Sequence, residues 1–111
     1  MMKRAKRARL QARGWRVGTA QEFLGLSDEE AAFVELKLAL AQGVRARRER
    51  RGWTQTQLAK LLASSQSRVA KMEAADRTVS VDLLVRSLFA MGTTKRELAK
   101  IIFEQKRRRA A

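Results

Sequence analysis

Apolar positions recur along the chain at helical spacing. Phe33, Leu36, Leu40 and Val44 fall three or four residues apart, and Leu58, Ala59, Leu61 and Leu62 give a later segment a wide apolar face. Leu98, Ile101 and Ile102 share one face near the end. Segment 81–91, VDLLVRSLFAM, is apolar around most of its circumference, as expected of a helix that is central or covered by another chain. Segment 64–73, SSQSRVAKME, is the opposite case. At about 100° per residue, Val69 and Met72 form a narrow stripe, Ser67 and Lys71 point the other way, and Gln66, Arg68 and Ala70 lie on the flanks. A helix with so thin a seam is braced by a neighbour and offers its polar side to something else.

Start and stop signals set the boundaries. Residues 19–22 (TAQE), 27–30 (SDEE), 54–57 (TQTQ) and 94–97 (TKRE) each put Thr or Ser three places ahead of Glu or Gln. At that spacing the two side chains satisfy each other's free backbone N–H groups. Ser65 and Ser80 read as simpler N-caps, and Gly52 and Gly92 fall where a left-handed residue closes a helix. With no proline in the chain, these signals predict an all-α protein. The expected helices are 19–24, a long one over 28–51 that Gly43 bends, and shorter ones over 55–62, 66–74, 81–91 and 95–105.

The length, 111 residues, suits one domain. The chain has no Cys and no His, so it lacks the usual zinc, iron–sulfur and haem ligands, a thiol nucleophile and an imidazole base. Neither a metal nor another cofactor is expected. The acidic residues Glu22, Asp28, Glu29, Glu30 and Glu35 contain no obvious catalytic pair, and no enzyme is expected either. The basic start is not followed by an apolar run, which argues against a secretory signal and for the cytoplasm, and no stretch is long enough to span a bilayer.

Net charge is +14, and it comes in blocks. Seven bases and no acid occupy residues 1–16, whereas residues 17–43 hold five acids against Lys37 alone. Residues 44–72 then carry eight bases against Glu49, and the chain ends in a basic KRRR run over 106–109. Blocks of one sign fit a polyanion partner better than a mixed solvated surface does. The expected layout is a basic arm over 1–14, a helical extension over 15–43, the main helical domain over 44–105 and a basic tail over 106–111. Trp53 reads as core. Trp15 either anchors the arm or contacts nucleic acid.

Two short helices around the ASS sequence at 63–65 have the form of a helix-turn-helix, whose first helix braces a second that lies in the DNA major groove. The close crossing asks for a small residue in the first helix, supplied by Ala59, and a small residue in the turn, supplied by Ala63. A branched apolar residue four places after the second N-cap is Val69, with Met72 one turn on. From GWTQTQLA through SQSRVAKME the chain resembles the Cro/C1 or XRE-type family of helix-turn-helix repressors, over about residues 44–103. The upstream stretch GWRVGTAQEFLGLSDEEAAFVELKLAL is similar to the front part of HigA-like antitoxins, partners of RelE-type (HigB-like) toxins.

The resemblance implies a compact five- to six-helix domain of lambda-repressor-like type. It also implies base reading by Gln66, Ser67 and Arg68, where Gln suits adenine N6 and N7, Arg suits guanine O6 and N7, and Ser tolerates either. Contacts to the DNA backbone are implied for Gln55, Ser65, Lys71, Arg77 and Thr78, with Gln55 also supporting the first reading residue, and a structural ion pair for Arg48 and Glu73. Two residues depart from the family pattern. Ala63 stands where glycine is frequent and costs roughly 1 kcal/mol if φ is positive there. Arg47 stands where an apolar residue is common, so its helix is expected to pack less tightly and to lean on the upstream helix.

The implied function is a sequence-specific repressor acting as a homodimer on an inverted-repeat operator in double-stranded DNA. Leu98, Ile101 and Ile102 are its expected dimer interface. An antitoxin role would give the acidic residues Glu22, Glu29 and Glu35 a basic toxin as partner. Three other readings stay open: a stand-alone repressor, a toxin-neutralising interaction module with weak DNA binding, and a basic RNA-associated protein. The small number of aromatic residues argues against the last.

Overall fold

The computed structural model describes residues 20–110, and these contain six α-helices and no strand. They are α1 (Ala20–Leu24), α2 (Asp28–Arg50), α3 (Gln55–Leu61), α4 (Gln66–Glu73), α5 (Val81–Ala90) and α6 (Lys95–Ala110). The all-α expectation holds. The basic arm, Trp15 and the Thr19 cap lie outside the described residues, as do the side chains of the basic tail. Most expected ends shift by one residue, and one shifts further: α6 continues to Ala110, where the sequence pattern ended the helix at 105.

Helix starts follow the cap chemistry. The Ser27 and Glu30 side chains each accept from the other's backbone N–H, at 3.2 and 2.9 Å. Thr54 with Gln57 and Thr94 with Glu97 repeat the arrangement. Ser65 accepts from Arg68 N and Ser80 from Leu83 N, each with extended backbone at the cap.

By its contacts the chain divides into two units, residues 1–34 and 35–111. In the first, Ala31 and Glu22 are buried while Phe23, Leu24, Phe33 and Val34 are exposed. Phe33 therefore does not continue the buried stripe of α2. In the second unit, Leu40, Ala41 and Val44 of α2 meet Leu58 and Ala59 of α3, Val69 and Met72 of α4, and Leu84 and Leu88 of α5, with Val79 and Met91 closing the ends. Trp53, Leu62, Leu98 and Ile101 pack around this cluster. Helix α5 is thus central to its own chain. Leu61, expected in the α3 core face, is instead exposed.

Helix α2 runs through Gly43 without interruption, and Gly43 faces α6. A Cβ built there would lie 2.7 Å from Ile101 Cγ2, so the missing side chain is what lets α6 approach α2. Beside that contact Arg47 reaches across to Glu97 at 2.9 Å and to the Gly92 carbonyl at 3.3 Å. Arg47 therefore ties α2 to the start of α6 by hydrogen bonds that an apolar residue at that position could not make.

Two outcomes follow. An exposed Gly→Ala change inside a helix gains about 1 kcal/mol, but Gly43→Ala drives a methyl into a branched side chain, and overpacking costs about 1–3 kcal/mol. Gly43→Ala is expected to lower the urea midpoint at unchanged slope. The second concerns acid. The Arg47 hydrogen bond first, and then the Thr94 backbone and hydroxyl, hold the Glu97 carboxyl at about 2 instead of 4.5. Because the unfolded chain takes up this proton at the higher pH, the stability contributed by Glu97 is complete above pH 4.5 and lost as pH falls through about 2. The stability difference between wild type and Glu97→Gln should shrink across that window in urea titrations.

Candidate nucleic-acid interface

Helix α4 has eight residues, too few to persist alone in water. Val69 and Met72 are fully buried and contribute about 1.5–3 kcal/mol each. Among the described residues, helices α3 and α4 pack closely on each other. The small Ala59 of α3 is buried in the cluster that Val69 and Met72 of α4 also join. Four residues join the helices, and the joint is a hydrogen-bonded cap: Ser64 N donates to Ala59 O at 2.8 Å and Ala63 N to Lys60 O at 3.2 Å.

That cap puts Ala63 at φ 53°, the left-handed conformation anticipated from the missing glycine. The same pattern ends α4, where Asp76 N donates to Lys71 O and Ala75 N to Met72 O, with Ala75 also at φ 53°. Helices α2 and α5 end identically, but with Gly52 and Gly92 at the left-handed position. Alanine carries no sequence signal for positive φ, so Ala75 was not foreseen.

Gln66, Ser67, Arg68 and Lys71 are all exposed on the polar side of α4. Among the described residues the side chains of Ser67 and Arg68 form no hydrogen bond or ion pair. Gln66 is held differently. Arg48 donates to Glu73 from Nε at 2.6 Å and from Nη2 at 3.0 Å, with the two side chains only 13% and 5% exposed. Its Nη1 donates to the Trp53 carbonyl, and the bond to Glu73 raises the Arg48 pKa above its ordinary value. Glu73 Oε1 also accepts from Gln55 Nε2 at 3.1 Å, and Gln55 Oε1 accepts from Gln66 Nε2 at 2.7 Å.

The direction of this chain is fixed chemically. An ionised carboxylate only accepts, so the Gln55 amide must turn its nitrogen to Glu73 and its oxygen to Gln66. Gln66 must then meet it with nitrogen, which leaves Gln66 one N–H and its oxygen, the pair that matches adenine N7 and N6. The pair Arg48–Glu73 and the support of Gln55 for Gln66 read as separate features in the sequence; the structure joins them in one relay. Removing one partner of such a buried pair costs about 3–5 kcal/mol.

The remaining expected contacts are placed unevenly. Ser65 caps α4, whose first N–H groups form an anion-favouring end. Arg77 is exposed in the loop after α4. Thr78 is exposed there too, but its N–H and hydroxyl both donate to Asp76 Oδ1, at 2.9 and 2.6 Å, so neither donor points to a phosphate. The Thr78 hydroxyl also lowers the Asp76 pKa. Lys37 Nζ donates to the Asp76 carbonyl at 2.8 Å and holds this loop to α2, a link the sequence did not indicate. Trp53 is half-buried with the Arg51 guanidinium 5.2 Å from its ring centroid.

Sites proposed for partners also divide. Leu98 and Ile101 pack on the chain's own core, whereas Ile102 and Phe103 are 38% and 59% exposed. Burial of Glu22 removes it from any partner contact in this conformation; Glu29 is exposed and Glu35 half-exposed. Among the described residues there is no cluster of metal-ligating side chains and no helix long and apolar enough to cross a membrane.

A short brace helix, a capped turn and a second helix with an exposed polar face define a helix-turn-helix protein of the DNA-binding class. The profile of the helix-turn-helix domain family matches residues 23–96, and the chain belongs to that family. No curated protein and no solved structure matches it.

The left-handed alanines give a direct test. Relief of about 1–2 kcal/mol of strain outweighs the roughly 0.4–1 kcal/mol that glycine loses through the unfolded chain. Ala63→Gly and Ala75→Gly should therefore each raise the melting temperature, by a few degrees, in a calorimetric scan.

Proposed function

We propose that the protein is a sequence-specific transcriptional repressor that reads the major groove with the N-terminal half of α4, Gln66 and Arg68 being its base readers. The observation that carries this reading is the relay ending at Gln66: a buried ion pair orients an exposed amide so that its free donor and acceptor face outward. A bundle without a reading role has no need to order a surface glutamine in this way. Ser67 and Arg68 extend the face, Lys71 supplies a phosphate contact one turn on, and the exposed Arg50, Arg51 and Lys60 supply sequence-independent attraction. The repressor works as a homodimer on an inverted repeat with half-sites about 10 bp apart, joined through the exposed Ile102 and Phe103 of α6.

The same reading extends to an autoregulating antitoxin of a type II toxin–antitoxin pair. What supports it is Glu29, exposed on the first turn of α2, together with the exposed Phe23, Leu24 and Phe33 of the same unit. An acidic surface with uncovered apolar side chains suits a basic protein partner.

Selection from a random duplex library should yield an inverted repeat. On it, Arg68→Ala or Gln66→Ala should cost about 1–3 kcal/mol and relax preference at one position, whereas Lys71→Ala should weaken all duplexes alike. Equal losses on selected and random DNA would remove these residues as readers, and tighter binding to single-stranded RNA at matched salt would favour the RNA reading. Coexpression with the neighbouring open reading frame should recover a small basic partner whose association slows with Glu29→Lys while duplex binding is kept. No partner, with a harmless neighbouring product, leaves a stand-alone repressor.

A further inference from the structure

A groove of about 370 Å³ opens between the helix-turn-helix joint and α5. Leu61, Leu62 and Leu83 form apolar walls, and Arg68 and Arg86 bring cationic groups to it. Leu61 is half uncovered. Ser64 also lines the groove, with its hydroxyl oxygen buried beneath the surface and out of an occupant's reach. The Arg86 guanidinium meets Asp82 through Nε, at 3.2 Å, and stays largely exposed.

The walls and the cations ask for different things from an occupant, and one chemistry answers both. The leucines ask for a hydrocarbon body, and the two guanidinium groups for an anion of planar bidentate shape. The volume lies at the small end of ligand sites, near 300 Å³. We infer that this groove is an effector site for a small amphipathic carboxylate, held by its tail on Leu61, Leu62 and Leu83 and by its head at Arg68 and Arg86. Phosphate esters of DNA lack the tail, and a neutral hydrocarbon leaves the cations unanswered. Because Arg68 belongs to both surfaces, a carboxylate bound there withdraws a base reader, so the ligand relieves repression. This last step rests on the reading of Arg68 proposed above; the site itself does not.

Octanoate is the probe, followed by the methyl resonances of the full-length, isotopically labelled protein, with octanol as the uncharged control. Octanoate should shift the Leu61, Leu62 and Leu83 methyls saturably, and Arg86→Ala, at an exposed position outside the reading face, should weaken it about tenfold through loss of a charge-assisted hydrogen bond. Octanol should bind no better than octanoate binds this variant. No saturable shift, a response confined to Ile102 and its neighbours, or equal binding of octanoate by wild type and Arg86→Ala overturns the site. So does a shift of the same methyls with protein concentration alone, which makes a second copy the occupant. In a separate arm, octanoate should weaken binding to the selected duplex in wild type and much less in Arg86→Ala. Saturable octanoate binding with unchanged duplex affinity keeps the site and overturns its link to the reader.

Discussion

Glu73 is an acceptor with nothing to donate, and the helix-turn-helix is arranged around that fact. Buried to 5% exposure, it needs cationic and amide donors on every side. Arg48 supplies them from α2, and Gln55 supplies one from the start of α3. Three helices are thereby registered on one carboxylate at the end of the recognition helix. The consequence is directional. A polarity set in the interior is carried through two amides to the surface, where Gln66 emerges with a fixed donor and acceptor. The ion pair is thus structural in cause and chemical in effect.

The apolar contacts do complementary work. Val69 and Met72 dock α4 without specifying its rotation to the accuracy a hydrogen bond demands, and the relay removes that freedom. At the far side Gly43 lets Ile101 lie against α2, and Arg47 closes the joint by reaching Glu97. Two polar bridges of different burial, Arg48 with Glu73 and Arg47 with Glu97, leave α2 from consecutive residues toward opposite partners.

Much of this was legible in the sequence because it is local. Cap spacing located the starts of α2, α3 and α6, single serines those of α4 and α5, and the narrow Val69 and Met72 stripe announced a braced helix with a free polar side. What escaped was what depends on chain segments far apart. Nothing near Arg47 hints at Glu97, fifty residues on. Leu98 and Ile101 read as an uncovered face because the space that receives Ile101 is made by an absent side chain at Gly43. Leu61 and Phe33 have the right period and still face outward, since periodicity identifies a face and not what covers it. Glu22 looked like a surface acid and is buried. In the candidate site, residue identities were legible; the linkage between Glu73 and Gln55 was not, because amide orientation is decided only once the carboxylate is in place.

The recognition helix is bracketed by two alanines in the left-handed region, one closing the brace and one closing the helix itself. Its cohesion comes from neighbours and not from its own eight residues. Such a segment opens only together with the neighbours that hold it, so its amides should exchange with solvent as a unit with the core residues it packs on. Whatever grips it then does more than occupy a surface. A bound duplex draws the population away from the opened form by mass action and lengthens the lifetime of the chain against proteases. Occupancy of its site and resistance to opening are thereby coupled, and the coupling grows with the ratio of free duplex to its dissociation constant.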